Sequence, residues 1–264
     1  FTLSDSANDA SFTLLLKLTF NENVTMKKIL AALLLTLPTI AVAIDLDGYY
    51  FTAKGGVSKT SSTGTINYTD FQATAGSLQS EDLGTGSAFG FSVGKYLNDN
   101  FRLELEATKR TGYDLDARLT TNSTFSSNAK IQTEALFVNG FYDFQPFTIS
   151  NTPITPYVGG GIGISRNKTG TDVSSTNGIP NGVSTVGDTS NQFAYKLSAG
   201  TLFSLTEQLS LDVSYQYVNL GEFEEGTEVY RDGLRRADLD AQKGANGGEI
   251  KTQEIMVGLQ YTFK

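Results

Sequence analysis

The chain contains no cysteine, no histidine and no tryptophan. Without cysteine there is no disulfide framework, no thiolate nucleophile and no cysteine-bound zinc or iron–sulfur cluster. Without histidine the usual general base is missing, as are the usual zinc and copper ligand and every Ser-His or Cys-His couple, which closes most hydrolase mechanisms. Basic residues are in deficit: 20 Lys+Arg against 28 Asp+Glu give a net charge of −8 and a pI near 4.6. A grip on nucleic acid needs a basic face, so no nucleic-acid partner is expected. There is also no apolar run of about 18 residues or more, which excludes crossing a membrane with helices. Mean hydropathy is −0.17. None of this excludes crossing with β-strands, whose alternating faces average out as polar.

What is present starts at Met26. It is followed by Lys27 and Lys28, by an almost wholly apolar stretch from Ile29 to Val42, and by the small-x-small triplet Ala41-Val42-Ala43. These are the positive n-region, the apolar h-region and the cleavage site of a secretory signal. We therefore expect residues 26–43 to be a signal peptide cleaved after Ala43. Residues 1–25 are expected to be an extension upstream of a natural initiator, carrying no function, and 44–264 the mature domain.

Past Ala43 the sequence becomes a series of period-2 apolar stretches rich in Phe, Tyr, Val and Leu. Eight are expected as strands, near 48–58, 86–96, 101–111, 131–144, 154–166, 192–204, 209–220 and 251–263. The connectors 97–100, 145–153 and 205–208 are short or moderate, and those near 59–85, 112–130, 167–191 and 221–250 are long and polar. Such alternation is what an up-and-down barrel gives when one end faces the periplasm and the other the outside. A soluble sandwich has no reason to keep it, and structureless loops of this length count against a compact soluble domain.

The faces of the strands support the same architecture. In the third stretch Phe101, Leu103, Leu105 and Ala107 oppose Arg102, Glu104, Glu106 and Thr108. In the last, Ile255, Val257, Leu259, Tyr261 and Phe263 oppose Glu254, Met256, Gly258, Gln260 and Thr262. The companion faces of Gly, Ala, Ser and isolated charges are too small and polar to fill a soluble core, but they suit a narrow polar lumen. Aromatics gather at one end: Tyr49, Tyr50 and Phe51, Tyr96 and Phe101, Tyr142 and Phe144, Tyr261 and Phe263. That is the pattern of an interfacial girdle at the periplasmic side.

The stretches Tyr142-Asp143-Phe144, Pro156-Tyr157-Val158-Gly159-Gly160-Gly161-Ile162-Gly163, Tyr215-Gln216-Tyr217 with Leu220-Gly221, and Val257-Gly258-Leu259-Gln260-Tyr261-Thr262-Phe263 together resemble the eight-stranded outer-membrane barrels of the opacity-protein and OmpA-transmembrane-domain type. The resemblance covers the whole mature chain. It implies an all-β, antiparallel, up-and-down transmembrane barrel in the outer membrane of a Gram-negative type of cell, monomeric, acting through its extracellular loops. The ending is similar to the signal read by the outer-membrane assembly machinery, with Tyr261 and Phe263 in the aromatic places. It departs from the pattern in that Lys264 follows the closing Phe, so weaker recognition is expected.

Candidate site residues fall into two groups. The expected lumen cluster sets Lys54, Arg102 and Lys196 against Glu104, Glu106, Asp212 and Glu254, with Asp143 near the periplasmic end. Strand neighbourhood places Lys196 beside the strand of Asp212, and Lys54 beside that of Glu254. Opposed charges in a water-poor interior must pair, which favours a salt-bridge plug over a gated ion path. On the fourth long loop, Arg231, Arg235 and Arg236 are candidates to meet the phosphates of lipopolysaccharide or an extracellular partner, and a short helix is expected near 229–241. The Gly-rich run 159–163 lacks the Lys and the following helix of a phosphate cradle, and room for large lumen neighbours explains it. No enzyme and no cofactor is expected. The lipid A palmitoyltransferases and deacylases built on such barrels depend on a catalytic histidine, which this chain lacks. A small porin and a soluble periplasmic lipocalin-like carrier stand as alternatives.

Overall fold

In the computed structural model, residues 46–61, 64–69, 75–80, 83–119, 125–176, 179–240 and 247–264 are described. The expected leader and signal, 1–43, lie outside them. Eight strands follow one another: β1 (Tyr49–Thr60), β2 (Thr85–Tyr96), β3 (Phe101–Leu119), β4 (Phe125–Asp143), β5 (Thr152–Thr169), β6 (Thr189–Ser204), β7 (Leu209–Arg231) and β8 (Gly247–Thr262). Each pairs antiparallel with the next. Pairing of β1 with β8, from Tyr50↔Thr262 to Thr60↔Thr252, closes the ring and leaves no free edge at this level. The result is an eight-stranded up-and-down barrel.

One end carries the short turns, and they close by the same device. Asn98 Oδ1 accepts hydrogen bonds from the backbone N–H groups of Asn100 and Phe101, both at 2.9 Å. Thr206 Oγ1 accepts from those of Gln208 at 3.2 Å and Leu209 at 3.0 Å. Asx and Ser/Thr turns of this kind replace backbone partners with a side-chain oxygen. The β4–β5 connection folds as a small hairpin, Phe147–Ile149 against Thr152–Ile154, turning on Ser150 (φ 47°) and Asn151 (φ 67°). Two positive φ values in succession are what a type I′ turn requires. Both ends of the strand series, β1 and β8, enter and leave the barrel at this end.

The strands run further at the other end than the sequence pattern indicates. β3 continues to Leu119, β4 begins at Phe125, and β7 reaches Arg231. The segments Asp172–Thr176 and Ile179–Gly187 pair with each other, with β4 and with β7. Gly64–Thr69 and Ala75–Ser80 form a hairpin joined to the top of β3. At 23 residues, β7 rises roughly 55 Å when tilted about 40°, against an apolar band of about 25 Å for a barrel of this kind. Much of what reads as long polar loop is therefore barrel wall standing above the membrane. The helix expected near 229–241 reduces, among the described residues, to one 3₁₀ turn at Ala237–Leu239. It is preceded by the two-residue strand Leu234–Arg235, which folds back on the tip of β7.

Two glycine bulges explain why counting by twos ends early. Between Arg110 and Tyr113 the β3–β4 register slips at Gly112, whose φ is +91°. Between Asn219 and Glu222 the β7–β8 register slips at Gly221, φ +71°. Each bulge inserts an extra residue and flips the face of all that follows. So Arg110 and Tyr113 both point inward on β3, as do Val218 and Phe223 on β7, all within 1 % of full burial.

The outer face is apolar. Phe51, Phe89, Phe91, Phe101, Leu103, Val138, Ile162, Phe193, Leu197, Ile255, Val257 and Leu259 are all exposed. In water such a surface would be a liability, whereas in a bilayer it is the buried face. This arrangement overturns the soluble lipocalin-like alternative, which needs its apolar side chains inside. Part of the aromatic girdle lies outside as expected: Phe51 stacks on Tyr261 at 5.6 Å, and Tyr142 meets Phe101 at 5.1 Å and Phe144 at 5.2 Å. Tyr50 and Tyr96 do not join it. Tyr50 is fully buried and Tyr96 receives a hydrogen bond from Gln260 Nε2 at 3.0 Å, because both sit in the inward phase of their strands.

Candidate functional site

The lumen is filled in layers, and each layer is set by which strand positions point inward at one height. Nearest the short turns, Arg102 of β3 donates from Nε to Asp143 Oδ1 at 3.1 Å and from Nη1 to Gln260 Oε1 at 3.2 Å. Its guanidinium carbon lies 4.4 Å from the Phe141 ring centroid and 4.6 Å from that of Tyr157. An aromatic box around a planar cation combines cation–π attraction with packing, which suits Arg better than Lys. Tyr157 donates its hydroxyl to Asp212 Oδ1 at 2.7 Å and so ties β5 to β7.

One turn of side chains higher, Glu106 is fully buried between two ammonium groups. Lys54 reaches it at 2.7 Å, and Lys196 donates to its other oxygen. Asn139 Nδ2 bridges to Glu106 Oε2 at 2.9 Å and to Glu104 Oε1 at 3.0 Å. The partners expected from strand neighbourhood, Asp212 for Lys196 and Glu254 for Lys54, are not the ones used. Lys196 is level with Val218 and Asp212 with Leu202, six residues apart along β7, which is about 20 Å of strand. Lys54 is level with Gly258 and Glu254 with Ser58. Both lysines instead cross the lumen to β3.

Glu254 is held by a residue that the sequence pattern missed. Arg110 grips it in bidentate fashion, Nε to Oε1 at 2.5 Å and Nη2 to Oε2 at 3.0 Å. Ser58 Oγ at 2.7 Å and Thr252 Oγ1 at 2.8 Å also donate to Glu254 Oε1. Paired donors in fork geometry are the strong form of charge-assisted hydrogen bonding. The inward alternation through Arg102, Glu104, Glu106 and Thr108 leads straight to Arg110, so extending the count by one position would have found it.

Beside and above the charges the lumen turns apolar: Leu83, Tyr113, Ile131, Phe137, Val218, Leu220, Phe223 and Ile250 form one buried cluster, in which Phe137 lies opposite Glu106 and Val218 opposite Lys196. The glycine run makes room beside it and below it. A Cβ on Gly163 would stand 2.0 Å from the Leu136 carbonyl oxygen, one on Gly161 2.0 Å from Asn139 Oδ1, and one on Gly159 2.2 Å from the Phe141 ring. Those contacts are sterically forbidden, so β5 must be bare where β4 presents Phe137, Asn139 and Phe141.

The loop arginines lie on the rim beyond β7. Arg235 binds both oxygens of Asp240 at 2.5 Å, and Arg236 binds Asp238 at 2.8 and 2.6 Å. The Arg236 hydrogen bond holds the Asp238 carboxyl low, at about 2, and Arg235 lowers that of Asp240 in the same way. Arg231 is exposed at the end of β7. At the opposite end Tyr261 and Phe263 lie edge to face at 5.2 Å on the outer wall, and Lys264 pairs with Glu207 at 3.5 Å.

Residues 29–263 match the family model of the outer membrane protein β-barrel domain. The chain belongs to this family. As an outer-membrane β-barrel protein of the Gram-negative type, it has its short-turn end in the periplasm and its tall end outside. It is 28 % identical over 239 residues to outer membrane protein PagN of Salmonella typhimurium, covering 84 % of this chain and 93 % of that one. It is 26 % identical over 226 residues to an uncharacterised protein of Brucella abortus, covering 76 % of this chain and 73 % of the other. Among solved structures it is similar to Neisserial surface protein A, with 15 % identity, a TM-score of 0.48, and coverage of 82 % of this chain and 98 % of that one.

Proposed function

We propose that the protein is a closed outer-membrane barrel that works as a surface protein, binding extracellular partners through the rim rather than passing solutes through the lumen. One observation carries this: the lumen cross-section is occupied by Arg102 with Asp143, by Glu106 with Lys54 and Lys196, by Arg110 with Glu254, and by an apolar cluster beside and above these pairs. An eight-stranded barrel has an interior that side chains roughly fill. With the bore filled, what distinguishes the molecule is the tall extracellular wall and the β7–β8 connection bearing Arg231, Arg235 and Arg236. Function carried on loops over a rigid scaffold is the common arrangement. Such a protein acts as a monomeric adhesin-like antigen or membrane-stabilising element, without catalysis, and Tyr261 and Phe263 serve the assembly machinery. What supports the non-enzymatic reading is the composition, which offers neither His nor Cys.

Planar-bilayer recording tests the closed lumen. Rare, small openings are expected, and Lys196→Ala should raise the leak by removing one of the two ammonium groups that hold Glu106 across the bore. Steady, large ohmic channels from the unmodified protein would overturn the plug and make it a small porin.

A further inference from the structure

At the periplasmic end the β4–β5 connection differs from the other two short turns. Those carry Asp99 and Glu207, whereas no charged residue occurs from Phe144 to Ser165. On its small hairpin Phe147 lies opposite Ile154 and Ile149 opposite Thr152, so alternation puts all four on one face. Ile154 in turn lies opposite Phe203 of β6, Phe203 opposite Leu211 of β7, and Leu211 opposite Leu259 of β8. The face bearing Phe147 and Ile149 is therefore the lipid-facing side of the wall, continued past the rim. Phe144, Phe147 and Ile149 are exposed, and Phe144 packs on Tyr142, which packs on Phe101 of the girdle.

Strand register also fixes the height of the hairpin. From Ala53, pairing followed through Leu259, Leu211 and Phe203 reaches β5 at Ile154, and followed through Phe91, Ala107 and Leu136 it reaches β5 at Ile164. The ring returns on itself with a stagger of ten residues, Ile154 to Ile164, which over eight strands corresponds to a tilt of about 40°. Allowing for that stagger, Phe147 stands about 3 Å below Phe263 of the girdle and Ile149 about 5 Å lower still. The headgroup layer on each side of a bilayer is about 5–7 Å thick. Phe147 falls inside it and Ile149 at its outer edge.

From this juxtaposition we infer that the hairpin is an interfacial foot, whose Phe147 and Ile149 insert among the phospholipid headgroups of the periplasmic leaflet. The inference goes beyond the surface-protein reading, which concerns the opposite end. Two features select a lipid surface over a periplasmic peptide. The apolar side chains continue the lipid-facing phase at girdle height, so the surface they meet is the one that Phe203 and Leu211 already face. The strand Phe147–Ile149 offers a pairing edge of only three residues, a short template for a peptide that would add to the sheet. The uncharged sequence also suits the layer, since no ion has to leave water. Anchored in one sector of the ring, the foot fixes the depth of the barrel and the direction of its tilt, as interfacial aromatic side chains do for membrane segments.

The chain has no cysteine, so Phe147→Cys supplies a single thiol for a nitroxide spin label. The test is made in vesicles of phosphatidylethanolamine and phosphatidylglycerol holding no other protein. Oxygen, which concentrates in the bilayer, and a nickel chelate, confined to the water on both sides, are compared for how strongly they relax the label. Leu197→Cys on the lipid-facing wall and Leu234→Cys at the extracellular tip, both exposed, are the lipid and water references. The oxygen-to-nickel ratio at Phe147→Cys should be several-fold above that at Leu234→Cys, and that at Ile149→Cys should fall between the two. Adding Phe147→Asp to Ile149→Cys should bring the label at 149 down to the water reference. Heat-modifiable migration reports insertion of each variant, and where Phe147→Cys fails to insert the label at 149 decides. Labels at 147 and 149 that match Leu234→Cys would overturn the foot and leave the Phe147–Ile149 edge to a periplasmic peptide. A label at 149 that Phe147→Asp leaves unmoved would overturn it as well.

Discussion

Replacing Glu106 by Gln removes a carboxylate whose side chain is 0 % exposed and leaves the ammonium groups of Lys54 and Lys196, at 4 % and 0 %, without their shared partner. Breaking one buried pair by deleting a partner costs about 3–5 kcal/mol, most of it the penalty of the stranded charge. Two lysines are stranded here, but the costs do not add. Glu104 and Asp212 already act electrostatically on Lys54, and a relaxed Lys54 can lean on them, so the expected destabilisation is about 4 kcal/mol. The chain has no Trp, so the folded fraction is best followed across a urea series by heat-modifiable gel migration or circular dichroism. The half-exposed pair Lys109–Glu134 provides contrast: its side chains are 41 % and 28 % exposed, and Lys109→Gln should cost about 1 kcal/mol or less. A second comparison separates charge from shape. Replacing Glu106, Lys54 and Lys196 together by Leu, Met and Met leaves no stranded ion and should cost less than Glu106→Gln alone. A change below about 1 kcal/mol for Glu106→Gln, or a triple variant worse than the single, would refute the view that the lumen is held by these pairs.

Four further expectations follow from the geometry. Gly163→Val should block assembly or sharply reduce the heat-modifiable species, because its Cβ would stand 2.0 Å from the Leu136 carbonyl oxygen; normal migration would show that β5 can shift away from β4. The turn after β7 should be insensitive to pH from neutrality down to about 4. An Asp238 carboxyl lowered from 3.8 to about 2 contributes stability that is fully present above 3.8 and is lost as pH falls through about 2, so carboxyl NMR should place its midpoint near 2. Replacing residues 232–246 by a two-residue turn should leave the barrel intact and remove rim-dependent partner binding, since β7 ends at Arg231 and β8 begins at Gly247; loss of insertion would mean the connection is structural. Lipid A from expressing cells should keep its mass, and a change would overturn the non-enzymatic reading.

The class of structure is legible in the amino-acid order alone. A period of two in apolarity with small and charged residues on the companion face specifies strands between lipid and a narrow lumen, and that pattern is local, so it can be counted. Residues such as Lys54, Glu106, Asp212 and Glu254 were legible as inward-facing for the same reason, while Arg110 needed only one more step of the same alternation. Three features emerge only once the strands are closed into a barrel. The strands' extension past residues 111 and 220 was hidden because Gly112 and Gly221 reverse the phase, and a reversed phase reads in sequence as an end. The true ion pairs were hidden because a closed barrel brings together residues of equal height across the bore, and height depends on stagger between strands, which no single strand encodes. The bare run at Gly159, Gly161 and Gly163 acquires its reason only when β5 is laid beside Phe141, Asn139 and Leu136 of β4, since steric exclusion belongs to the pair of strands and to neither strand alone.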